Sequence, residues 1–134
     1  MSWALSRWDF YAPFYDRLIG FLPVRQRSIH LAQLQAGERI LVDGCGTGLD
    51  LPLLPSGVQI TAVDLSPKMI ELARAKATPA RLALMDAQSL ALPDATFDCV
   101  VLHLIVAIVP DPLACLREAA RVLKPEGRII FFDK

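Results

Sequence analysis

Cysteine is scarce: three residues, Cys45, Cys99 and Cys115, stand in a chain of 134. They are too few and too scattered for a disulfide framework or a zinc site, and they read as reduced thiols in a cytoplasmic protein. An excess charge of either sign is also lacking. Lys plus Arg is 14 and Asp plus Glu is 14, so the formal net charge is zero. Neither half hides a surplus, with 5 basic and 6 acidic side chains in residues 1–67 and 9 and 8 in residues 68–134. Binding through counterion release draws on a basic surplus, so nucleic acid is not an expected partner. No long hydrophobic run is present either. The longest, Cys99 to Val109, has eleven residues and contains His103, whereas a membrane-spanning helix needs about 20. The opening residues, Met1 to Trp8, lack a basic stretch followed by an apolar one, so no signal peptide is expected.

What is present is apolar and ordered. Hydrophobic residues make up 54% of the chain, enough for one folded domain and too much for a disordered one. Such a surface with zero net charge also suggests a partner that covers part of it. Trp3, Trp8, Phe10, Tyr11, Phe14, Tyr15 and Phe21 are seven of the ten aromatics. The N-terminal segment, residues 1–36, therefore reads as a helix that docks on the core, a lid over a ligand, or an interfacial segment touching lipid. Within it a helix is expected from about Val24 to Gln35, stopped by Gly37.

From residue 37 to residue 134, short apolar runs alternate with helical stretches, which predicts parallel βαβ units. The first strand, Arg39 to Val42, ends at Asp43 and opens a turn, Gly44-Cys45-Gly46-Thr47-Gly48. The second, Val58 to Val63, ends at Asp64. Ser66-Pro67 then starts a helix as N-cap and first-turn proline, fading by Thr78-Pro79. The third strand, Arg81 to Met85, ends at Asp86 and the fourth runs from Cys99 to about Leu104. Asp111-Pro112 starts a helix to Leu123, Lys124 to Gly127 forms a turn, and Arg128 to Phe132 forms the fifth strand.

Three strands in a row thus end in a carboxylate. In an open parallel sheet those ends face the ligand crevice, and acids there suit a ligand rich in hydroxyls and amines. The glycine turn is a backbone device that lets a ligand lie against peptide groups. Its spacing is G-x-G-x-G rather than the dinucleotide G-x-G-x-x-G, and an acid at Asp43 would repel a pyrophosphate while accepting from an ammonium. Asp64 is placed to accept from both hydroxyls of a ribose, or more plainly to serve as a charge near a helix start. Asp86, with the Ala87 amide, can meet the edge of a purine, or simply cap a loop. His103 is the acid/base candidate near the strand ends; the plainer reading is a core or supporting histidine between Leu102 and Leu104. His30 reads as a surface residue.

Five segments together carry a resemblance. They are Val42-Asp43-Gly44-Cys45-Gly46-Thr47-Gly48, Ala62-Val63-Asp64-Leu65-Ser66-Pro67-Lys68-Met69, Asp86-Ala87-Gln88-Ser89-Leu90, Pro93-Asp94-Ala95-Thr96-Phe97-Asp98 and Arg121-Val122-Leu123-Lys124-Pro125-Glu126-Gly127-Arg128. In this order and spacing they resemble a class I S-adenosylmethionine-dependent methyltransferase of the small-molecule type, over about residues 8–134. Thr47 to Pro55 and Ile105 to Pro112 further resemble bacterial phosphatidylethanolamine N-methyltransferase-like proteins, with the ubiquinone/menaquinone C-methyltransferase type as the runner-up.

The resemblance implies an α/β, Rossmann-like parallel sheet of strand order 3-2-1-4-5 flanked by helices, and S-adenosylmethionine as cofactor. Gly44, Cys45, Gly46 and Gly48 would receive its methionine part, with Asp43 near the ammonium. Asp64 would bind the ribose, Leu65 would pack on the adenine, and Asp86 and Ala87 would hold its edge. Tyr11 and Tyr15 would belong to a lid. The acceptor would be a small molecule or a lipid, with an amine of the phosphatidylethanolamine kind the nearest fit; His103, from its place near the strand end, is the local candidate to deprotonate or orient it. Methyl transfer calls for no metal and no covalent nucleophile. The family sheet has two further strands that this chain does not reach. The fifth strand would then be a bare apolar edge, which implies a longer protein, a region lost from view, or a second copy pairing there. A non-catalytic S-adenosylmethionine-binding module is the competing function. A nicotinamide-dependent oxidoreductase is disfavoured by the glycine spacing and Asp43.

Overall fold

The computed structural model describes residues 22–133. Within them, α1 (Leu22–Leu31) leads into β1 (Arg39–Asp43), a single 3-10 turn (Leu51–Leu53), β2 (Gln59–Asp64), α2 (Pro67–Arg74), β3 (Arg81–Leu84), β4 (Phe97–His103), α3 (Pro112–Val122) and β5 (Leu123–Phe132). The five strands form one parallel sheet in the order β3-β2-β1-β4-β5. This is the Rossmann-like order that the resemblance implies, and it puts β1, with its glycine turn, at the centre.

The helix starts follow from local chemistry. The Ser66 hydroxyl accepts from the Met69 amide at 3.2 Å, and the Asp111 carboxylate accepts from the Ala114 amide at 3.1 Å. Each satisfies an amide that the helix itself cannot, and a proline follows each cap. Along the strands, side chains alternate between two apolar layers. Ile40, Val42, Ile60, Ala62, Cys99 and Val101 pack with Ile29 of α1, Ala32 just beyond it, and Ile70 and Ala73 of α2. Leu41, Val63, Val100 and Leu102 pack with Cys115, Ala119 and Val122 of α3. Because the sheet is covered on both faces, β1 and β4 read as continuous apolar runs rather than alternating ones.

Three boundaries differ most from the sequence expectation. The first helix ends at Leu31 rather than Gln35, because Gln33 turns into the left-handed region at φ 50°. Gly37, at φ 88°, forms the turn beyond and donates to the Gly57 carbonyl at 2.8 Å. The second helix ends at Arg74, short of Thr78, with Ala77 at φ 54°. The fifth strand begins at Leu123, directly after α3, and takes in the stretch expected to be a turn. There β4 advances from Phe97 to Cys99 while β5 advances from Leu123 to Arg128. Pro125 lacks an amide for the ladder, so Lys124 to Gly127 bow out as a bulge.

β5 is an edge strand, with Phe131 55% exposed. No helix among the described residues is long and apolar enough to cross a membrane.

Candidate functional site

The carboxyl ends of β1, β2, β3 and β4 lie along one end of the sheet, where open parallel sheets take their ligands, and the glycine turn leaves the central one. Backbone bonds set the turn's path: the Cys45 amide donates to the Val63 carbonyl at 2.8 Å and the Gly48 amide to the Cys45 carbonyl at 3.0 Å. Gly44 and Gly48 lie at φ 73° and 85°. A methyl group on Gly44 would meet the Ile105 side chain at 2.6 Å, and one on Gly48 would meet the Ala73 Cα at 3.0 Å. The turn is therefore drawn tight against the segment after β4 on one side and against α2 on the other, which only glycine allows.

Asp64 holds this turn in place. Its Oδ2 accepts from the Gly46 amide at 2.8 Å and its Oδ1 from the Ser66 amide at 3.0 Å. The carboxylate is half-buried, so it staples the turn and still reaches the surface. Leu65 beside it is half-buried. Asp86 lies just past β3, where its Oδ1 accepts from the Gln88 amide at 2.9 Å and from the Gln88 side-chain amide at 3.1 Å. Gln88 Oε1 accepts in turn from the Asp111 amide at 2.7 Å, and Ala87 is buried between. Arg121 pins the next stretch, donating to the carbonyls of Leu90 and Leu92, at 2.9 and 2.8 Å, and to Glu118. This end of the sheet is thus tied to α3.

Asp43 is different. It is fully buried, and among the described residues neither carboxylate oxygen has a hydrogen-bond partner. Burial pushes its pKa up to about 8, with nearby Asp64, Glu118 and Asp86 adding to the rise. Burying an unpaired carboxylate is expensive. A charged group that brought donors to this place would relieve the strain.

His103 ends β4 and points to the opposite face of the sheet from Asp43, toward α1. Its Nδ1 lies 2.8 Å from Asp50 Oδ1 and its Nε2 lies 2.7 Å from Ser28 Oγ. Asp50 Oδ2 accepts from Arg25 Nη1 at 2.9 Å. Arg25, Ser28 and Asp50 escaped the sequence reading. The available signal was a carboxylate among leucines, Leu49-Asp50-Leu51, and an arginine one turn before Ile29 on the buried stripe of α1. His30 is exposed, as expected. Cys45 is buried and its thiol is pushed well above its usual range by that burial, which suits packing rather than reactivity. Tyr11 and Tyr15 lie outside the described residues.

A family model described as a methyltransferase domain matches residues 41–131, from inside β1 to near the end of β5. The chain belongs to the class I S-adenosylmethionine-dependent methyltransferase family. Among curated relatives, the phosphatidylethanolamine N-methyltransferase of Cereibacter sphaeroides is 35% identical over 99% of this chain and 67% of its own length. The malonyl-[acyl-carrier protein] O-methyltransferase of Serratia marcescens is 35% identical over 81% of this chain and 43% of its own. Among solved structures, a complex between the Haloferax volcanii Trm112 methyltransferase activator and a methyltransferase matches with TM-score 0.81 and 25% identity. That match covers 90% of this chain and 57% of the other. The chain thus spans between two fifths and two thirds of these relatives. The family's cofactor is S-adenosylmethionine, which carries an ammonium, and Asp43 is a buried carboxylate without a donor among the described residues, a chemistry such a group would suit.

Proposed function

We propose that this chain binds S-adenosylmethionine across the strand ends and transfers its methyl group to a small-molecule or lipid acceptor carrying an amine. The observation that carries this reading is Asp43, whose two buried oxygens lack a partner among the described residues beneath the glycine turn. Gly44, Cys45, Gly46 and Gly48 would cradle the methionine part, with its ammonium toward Asp43. Asp64 would accept from the ribose hydroxyls with Leu65 against the adenine, and Asp86 and Ala87 would hold the adenine edge, Gln88 giving up or sharing its bond to Asp86. Tyr11 and Tyr15 would close over the cofactor.

Bound there, the cofactor supplies an electrophilic methyl group on a sulfonium. The protein's part is to position, to exclude water and to keep the acceptor nitrogen deprotonated. The amine acceptor takes support from the 35% identity to a relative named as a phosphatidylethanolamine N-methyltransferase. The buried thiols fit a reducing, cytoplasmic setting. The exposed β5 edge fits a second copy of the chain, and the aromatic N-terminal segment fits contact with a lipid surface. The test is formation of S-adenosylhomocysteine when the chain is given S-adenosylmethionine with phosphatidylethanolamine, free amines or quinols. Binding without turnover across that panel would favour a non-catalytic cofactor-binding module instead.

A further inference from the structure

We infer that Ser28 is the residue that takes the proton from the acceptor amine, with His103 as the base behind it and Asp50 and Arg25 as positioning residues. This rests on the amine methyl-transfer reading above.

The geometry leaves His103 one role in proton transfer. Its side chain is 1% exposed, so it cannot itself meet an acceptor. Both ring nitrogens are engaged, Nδ1 with Asp50 and Nε2 with Ser28. A carboxylate only accepts, so Nδ1 carries a proton toward Asp50, and in the neutral ring, the state the relay uses, Nε2 accepts from the Ser28 hydroxyl. On the far side, Arg25 binds the other Asp50 oxygen, and these two side chains are each 3% exposed. Ser28 is half-buried and is the member of the array nearest to solvent. The array therefore opens through a hydroxyl whose own proton already points at a base.

The position is also right. α1 runs antiparallel to the strands: Ser28 meets the last residue of β4, while the Ala32 carbonyl accepts from Arg128 early in the main run of β5. Ser28 thus sits at the carboxyl end of the sheet. Asp50 follows the glycine turn by two residues. Three elements at this end of the sheet, α1, the stretch after the turn and β4, meet in this one hydrogen-bonded chain. The charged groups facing His103 among the described residues are Arg25 from α1 and Asp50 from the turn. β5 presents the Phe132 ring edge-on at 5.8 Å.

The proton balance is simple. The ammonium proton of the acceptor passes to Ser28 Oγ as the Ser28 hydroxyl proton passes to His103 Nε2. The nitrogen lone pair so released is the pair that forms the new N–C bond. His103 then carries a proton on each nitrogen, against the carboxylate of Asp50, until the route runs back to solvent. The same three residue types activate a serine in hydrolases. Here Ser28 lies inside a regular helix whose neighbouring amides are used by the helix, so no oxyanion hole accompanies it among the described residues, and proton transfer is the role proposed.

The test uses the full 134-residue chain, with S-adenosylmethionine and phosphatidylethanolamine in mixed detergent micelles. Ser28→Ala should lower kcat by about 100-fold, the usual scale for a positioned proton acceptor. It should change the shape of the pH–rate profile and leave the S-adenosylmethionine Kd unchanged, while Ser28→Thr restores most of the rate. Independently of turnover, nitrogen-15 spectra of the ligand-free chain should show His103 protonated on Nδ1. A wild-type rate and profile in Ser28→Ala would overturn the relay and leave methyl transfer standing. An Nε2-protonated His103 would overturn it whatever the turnover. No product from the wild-type chain would reject the amine reading, and the relay with it.

Discussion

Gly46 donates its backbone N–H to Asp64 Oδ2 at 2.8 Å. The glycine turn and the end of β2 are therefore one unit, because the carboxylate proposed to bind the ribose also shapes the turn proposed to cradle the methionine part. Asp64→Ala removes both roles. It should weaken S-adenosylmethionine binding by about 1–3 kcal/mol, the usual penalty for leaving buried polar partners unpaired. It should also lower the melting temperature of the ligand-free chain, since the Gly46 and Ser66 amides lose their acceptor. Calorimetry and thermal unfolding measure the two effects, and unchanged affinity would refute the ribose assignment.

Asp43 sets a pH dependence. Its folded pKa is raised from 3.8 to about 8, chiefly by burial. Between those values the folded state holds a proton that the unfolded state has lost, so stability falls as pH rises through this window. The slope is up to about 1.4 kcal/mol per pH unit. Glu38, Asp98 and Glu118 act the other way: hydrogen bonds to Arg128, the Arg39 amide and Arg121 respectively hold their pKa values low, and their stability is lost at acid pH. The comparison that isolates Asp43 is therefore wild type against Asp43→Asn, by denaturant unfolding from pH 5 to pH 8. The stability difference should move in favour of Asn as pH rises.

The Arg25–Asp50 pair makes a stability prediction of its own. Arg25→Ala leaves Asp50 buried without its cation, and breaking a buried pair typically destabilises by about 3–5 kcal/mol. A double-mutant cycle with Asp50→Asn should show strong coupling in denaturant unfolding. Additive losses would mean that the two side chains do not work as a unit.

The thiols should be inert. Burial pushes Cys99 up to about 11 and Cys115 up to about 12, and Cys45 is also buried and raised. All three should resist alkylation in the native chain at pH 8 and react once it is unfolded, as counted by thiol titration. Rapid labelling of Cys45 would show a turn far more open than its packing indicates.

The strands and the row of acids at their ends were legible because they are local, apolar runs each closed by a carboxylate; the strand order, which is not local, followed from the resemblance to a known family. Ser66 and Asp111 announced their helices for the same reason, each capping an amide three residues away. The polar array around His103 was not legible, since Arg25 meets Asp50 across 25 residues, Asp50 meets His103 across 53 and Ser28 meets His103 across 75. No periodicity records such a contact. The ends of α1 and β5 were missed for want of local signal. Gln33, not a glycine, takes the left-handed turn, and Lys124 to Gly127 read as a free turn although Leu123 before them pairs with Phe97.

In the proposed complex, Asp43 receives the ammonium of S-adenosylmethionine. Calorimetric titration of the wild-type chain at pH 7, repeated in buffers of different ionisation enthalpy, tests it directly. The account predicts binding with release of about one proton per cofactor, as the cation draws Asp43 into its charged form, and loss of that release in Asp43→Asn. Binding of NAD in place of S-adenosylmethionine, or proton release that survives Asp43→Asn, would contradict it.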